Sequence, residues 1–97
     1  MATLYIAEFE RPRNQWVNIA NAPPIVEQTI AIGGASVASA AFNAKTALVR
    51  IHTDAICSIK FGATAPTATA TNMRLPADTI EYFSVNNNSF VAVITNT

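Results

Sequence analysis

The chain is predicted to be all-β, a small antiparallel β-sandwich or barrel of about seven to nine short strands. Two observations point there. Apolar and polar residues alternate with a period of two along most of the chain, and Pro, Gly or Asn breaks recur at short spacing between the alternating runs. A third is negative: no segment joins a capping residue to the apolar stripe of a helix.

The first strand is TLYIAEFE, with Leu4, Ile6 and Glu8 on one face and Tyr5, Ala7 and Phe9 on the other. ERPRNQ ends it, because Pro12 has no backbone donor and holds Arg11 extended. QWVNIA reads as a short second strand before the break at Asn21 to Pro24. In IVEQTIAIGG, Ile25, Glu27, Thr29 and Ala31 oppose Val26, Gln28, Ile30 and Ile32; Gly33 and Gly34 are expected to end the strand with backbone angles that a Cβ disfavours.

ASVASAAFNAKTA is Ala-rich, which favours a helix, yet Val37, Ser39 and Ala41 alternate against Ala38, Ala40 and Phe42, so it is taken as a strand. ALVRIH sets Ala47, Val49 and Ile51 against Leu48, Arg50 and His52, and AICSIKF sets Ala55, Cys57, Ile59 and Phe61 against Ile56, Ser58 and Lys60. With Thr53 and Asp54 as a turn, these two strands are expected to form a hairpin. Gly62 closes the second, and ATAPTATATN follows as a loop of small side chains with little to give a core. MRLPADTIEYFSV places Ile80 and Tyr82 opposite Glu81, Phe83 and Val85; Asn86 to Asn88 suit a turn, and SFVAVIT is expected to pair back as a second hairpin.

Length and composition bound the function. The 97 residues make one domain, and such a chain buries only about 60 to 65% of the surface its unfolded form exposes, so a partner surface would add to its stability. Charged residues are 12% of the chain, against roughly 25% in an average soluble domain, which leaves Thr, Ser, Asn, Gln and Ala to cover the surface. Six acidic and six basic residues cancel, and beyond Arg11 and Arg13 there is no basic cluster, so no nucleic-acid partner is expected. Neither a signal sequence nor an apolar run near the ~18 residues of a membrane span is present in the sequence, so no membrane partner is expected.

Candidate chemistry is sparse. His52 is the only His, which excludes a zinc site of several imidazoles, and no acidic run has the spacing of a calcium loop. His52 beside Asp54 has the makings of an acid/base pair, but a turn hydrogen bond is the simpler role. Glu8 with Glu10, and Asp78 with Glu81, are paired carboxylates of the kind glycoside hydrolysis uses; solvated strand edges explain them with less. Gly33 and Gly34 lack the Lys and helix of a phosphate loop. Cys57 is the single Cys and reads as a buried small hydrophobe. Trp16 suits the core, a protein interface or a sugar ring. No catalytic, cofactor-binding or metal site, and no small-molecule substrate, is expected.

The order TALVRIHTDAICSIKFGATAPTATATNMRLPADTIEYFSV, followed by an Asn-rich turn and FVAVI, resembles small structural proteins of tailed bacteriophages and prophages. The matching motifs are C-x-I-x-F-G at Cys57, Ile59, Phe61 and Gly62, an LPA turn at Leu75, Pro76 and Ala77, and E-Y-F at Glu81, Tyr82 and Phe83. The likeness spans Thr46 to Ile94, roughly half the chain. It implies a virion component made in the cytoplasm of a bacterial host: a capsid decoration (cement) protein on the exterior of the head, with the major capsid protein as partner. Neck and tail accessory roles and a carbohydrate-binding module are the alternatives. A homo-oligomer, trimer or dimer, is the expected assembly. Residues 1–24 are the expected contact arm, with Leu4, Tyr5, Ile6, Phe9, Arg11, Arg13 and Trp16 as its interface residues.

Overall fold

The computed structural model describes residues 2–11 and 22–97. These form eight strands, β1 (Thr3–Phe9), β2 (Val26–Ala31), β3 (Val37–Ala38), β4 (Leu48–Thr53), β5 (Cys57–Gly62), β6 (Met73–Leu75), β7 (Thr79–Ser84) and β8 (Phe90–Thr95). They lie in two four-stranded sheets, ordered β2-β1-β4-β7 and β3-β8-β5-β6, and every pairing is antiparallel. The all-β expectation and its strand number hold, and the architecture is that of a small sandwich.

Alternation decides which side chains meet between the sheets. Leu4, Ile6, Ile30, Val49 and Ile51 from the first sheet pack against Cys57, Ile59, Leu75, Val91 and Val93 from the second. Each large member of this core contributes roughly 1.5–3 kcal/mol by leaving water. Phe42, from the segment between β3 and β4, is 1% exposed and completes the core.

Both expected hairpins are corrected. β4 pairs with β1 and β7, and β5 pairs with β8 and β6, so the residues after Thr53 carry the chain from one sheet to the other. Side chains meet across this arch: the Cys57 thiol lies 3.5 Å from Thr53 Oγ1, while Thr53 Oγ1 also donates to Ala55 O and accepts from Ala55 N. β7 and β8 likewise lie in different sheets, with β8 held between β3 and β5.

The Ala-rich segment is a strand only at Val37–Ala38. Ser39 Oγ accepts the N–H of Val91 at 3.1 Å, replacing the backbone acceptor that a longer ladder would need. The chain then turns inward, with Phe42 N–H donating to Ser89 O at 2.8 Å. Gly33 and Gly34 adopt no left-handed angles; among the described residues Asp78 (φ 57°) and Asn88 (φ 58°) do. QWVNIA lies outside the described residues.

The contact-arm expectation for residues 1–24 is corrected over β1, while residues 12–21 lie outside the described residues. β1 is an interior strand of its sheet, bonded to β2 on one side and β4 on the other. Leu4 and Ile6 are buried in the core, because a strand flanked on both edges presents its inward residues to the opposite sheet; Phe9, on the Tyr5 side of the strand, is buried as well.

Candidate interaction surface

The outer sides of the two sheets differ. On β5 and β8 the residues between the inward-facing ones, Ser58 and Ala92, are fully buried. The loop 63–72 covers that side. Ser58 Oγ lies 3.4 Å from Ala70 O as donor, Asn96 Nδ2 donates to both Ser58 Oγ (2.8 Å) and Ala70 O (3.1 Å), and Ala68 N–H donates to Ser36 Oγ at 2.8 Å. Its small side chains let the backbone come this close, and Ala68 is itself buried. The loop gives little to the interior, as its composition suggests, but it roofs the second sheet from outside. Small outward residues at Ser58 and Ala92 were the sequence signal for this.

Among the described residues no such roof lies over Tyr5, Ile80 and Tyr82 of the first sheet. Its outward side chains form cross-strand rows: Thr29, Tyr5, His52 and Ile80 in one, Glu27, Ala7, Arg50 and Tyr82 in the next. Tyr5, Ile80 and Tyr82 are 43%, 48% and 53% exposed, a high value for large apolar side chains. Tyr5 stacks on His52, ring centroids 5.5 Å apart and planes 27° from parallel. A shallow groove of about 490 Å³ runs over this face, lined by Tyr5, Glu27, Arg50, His52 and Asp54 among others. Apolar rings rimmed by charge and hydroxyls are the composition of a contact surface.

The expected site residues separate. Tyr5 lies on this face and Arg11 is exposed just past β1, whereas Leu4, Ile6 and Phe9 are buried and Arg13 and Trp16 lie outside the described residues. Ile80, Tyr82 and Arg50 join Tyr5 through register alone, a relationship between distant segments that periodicity does not reveal. His52 and Asp54 take different partners: Asp54 Oδ1 accepts the N–H of Thr3 at 2.7 Å, while His52 packs on Tyr5.

Glu8 and Glu10 part as well. Glu8 is fully buried and Glu10 exposed, which corrects the solvated-edge reading for Glu8. Asp78 and Glu81 are both exposed. Cys57 is buried, and burial raises its thiol pKa while the hydrogen bond to Thr53 partly opposes the rise; a protonated, enclosed thiol is a poor nucleophile.

A second depression, about 420 Å³, opens where Phe61 meets Phe83, centroids 5.1 Å apart, and its lining of Phe61, Gly62, Phe83, Val85, Asn86 and Ser89 with Ala63 and Ser84 holds no titratable side chain. Among the described residues no three His, Cys, Asp or Glu side chains gather as a metal site. Comparison with protein-family models, with curated proteins and with solved structures returned no match.

Proposed function

We propose that this chain is a virion structural protein of a tailed bacteriophage or prophage, a decoration protein that binds the outside of the head and reinforces it. The major capsid protein is its partner, and the protein acts as a clamp with neither catalysis nor cofactor. The observation that carries the reading is the asymmetry of the two outer faces: one sheet is roofed by its own loop, while the other leaves Tyr5, Ile80 and Tyr82 open. The resemblance over Thr46 to Ile94 supplies the class of partner. Docking that engages only the folded chain would stabilise its small core by mass action.

Cosedimentation with undecorated phage heads tests it. The wild-type chain pellets with heads to saturation, and Tyr5→Ser combined with Arg50→Glu, which alters the open face without touching the core, loses most of that binding. Equal saturation by the double variant would remove this face from the interaction, and retention on necks or tails in place of heads would assign an accessory role.

A carbohydrate-binding module is the second reading, favoured by one observation. Tyr5 shares its groove with Glu27 and Arg50, a ring beside groups that hydrogen-bond hydroxyls. Glycan-array binding abolished by Tyr5→Ser, without pelleting on heads, would replace the decoration reading.

A further inference from the structure

We propose that two copies of this chain join along the free edge of β7, as an antiparallel pair whose twofold axis passes between their Tyr82 residues. The pairing stands independently of what the open face binds. β7 ends its sheet with β4 as its neighbour, and among the described residues nothing pairs with its other side.

The ladder dictates which backbone groups are free. Val85 N–H donates to Ala47 O at 3.0 Å, in step with the β4–β7 register, and on the far side of β4 Asp54 N–H donates to Thr3 O at 3.3 Å. Bonded positions alternate along an antiparallel pair. Thr79, Glu81 and Phe83 therefore aim their N–H and C=O groups at β4, and Ile80, Tyr82 and Ser84 aim theirs outward.

Edges are commonly blunted by short length, Lys, Pro or a bulge. β7 has six residues, TIEYFS, without Lys or Pro; Glu81, on the inward face opposite Ile51, is the one charge that guards it, and its register with β4 runs unbroken from Leu48↔Ser84 to Thr53↔Thr79. The two edge strands of the other sheet, β3 and β6, have only two and three residues. β2 is as long as β7, but its outward positions Glu27, Thr29 and Ala31 offer little apolar surface, whereas β7 brings the half-exposed Ile80 and Tyr82.

A second β7 matches this edge. Each sheet face continues across the junction only if residues of like parity oppose one another, which leaves two central registers. Centring on Glu81 sets two carboxylates against each other, a destabilising pair, and leaves Ser84 without a partner. Centring on Tyr82 places Glu81 opposite Phe83, pairs Ile80 with Ser84, lets Tyr82 exchange backbone bonds with its own copy, and brings two phenol rings together at the axis. Such an isologous contact closes at two copies, giving one continuous sheet of twice the width.

Light scattering and oxidative cross-linking test the pairing. The wild-type chain should have twice the mass of one copy. Tyr82→Pro deletes an outward N–H and leaves the β4 ladder whole, since Pro is tolerated at such edge positions; it should give a folded monomer by circular dichroism. Tyr82→Cys should form a disulfide dimer on oxidation and Glu81→Cys should not, with buried Cys57 silent in both. A wild-type monomer or trimer, a dimer that survives in folded Tyr82→Pro, or failure of Tyr82→Cys to cross-link would each overturn the proposal. None of these readouts depends on binding to heads, which is tested on β1 and β4.

Discussion

Thr46 Oγ1 donates a 2.8 Å hydrogen bond to Glu8 Oε1, and both side chains are cut off from solvent. The same oxygen accepts the N–H of Asn43 at 2.8 Å, and Oε2 accepts from Gln28 Nε2 at 2.9 Å. Gln28 in turn binds both backbone groups of Ala40. A carboxylate on the core side of an interior strand thus ties β1 and β2 to the segment that carries Phe42 inward. Burial of a carboxyl group is costly unless its oxygens are hydrogen-bonded, and here both are.

Removing Glu8 should therefore unlatch that segment. Glu8→Ala leaves three donors without their acceptor and should cost about 2–4 kcal/mol, while Thr46→Val should cost about 1–2 kcal/mol. Urea unfolding of both single variants and the double variant measures this. Strictly additive losses would mean that the 2.8 Å bond contributes nothing of its own.

Deleting residues 1–10 should abolish cooperative unfolding. β1 supplies ladders to β2 and β4 and the core residues Leu4 and Ile6, so its loss strands β2 and opens the core. A truncated chain that still melts in a sharp transition would show that β1 is dispensable.

Three glycines should respond to Ala in opposite directions. A Cβ at Gly62 would stand 3.2 Å from Thr64 O and 3.3 Å from Pro66 Cβ, so Gly62→Ala crowds the start of the roofing loop and should cost about 1 kcal/mol. Gly33 and Gly34 have open space around that position and no left-handed angle, so Ala there should stabilise by about 0.4–1 kcal/mol through the unfolded state. Thermal midpoints that move the same way for all three would contradict this assignment.

Alkaline pH should weaken the fold through Cys57. Its folded pKa is raised, chiefly by burial, so the unfolded chain gives up the thiol proton first, near pH 8.5. This contribution is full below that value and is lost as pH climbs from there through the folded pKa. Cys57→Ala should start about 1 kcal/mol lower at neutral pH from the lost packing, yet decline less steeply above pH 8.5. Parallel stability curves for the two chains across that window would rule the thiol out as the source.

Much of this protein is set by its sequence alone. Alternation determined which residues share a face in β1, β4 and β5, because a strand turns successive side chains to opposite sides whatever it pairs with; that the Glu8 face is the buried one came from the fold. Asn88 took the left-handed angle that Asn in the 86–88 turn suits. Strand partners were decided only by the tertiary structure. Thr53 and Cys57 point inward in a hairpin and in an arch alike, and no residue between them takes the left-handed angles that a tight two-residue hairpin turn demands. The open face has the same origin: Tyr5, Arg50 and Tyr82 come from three separated segments and become neighbours through register. Periodicity is a local property of the backbone, whereas pairing depends on which edges remain free once both layers have closed over a common core.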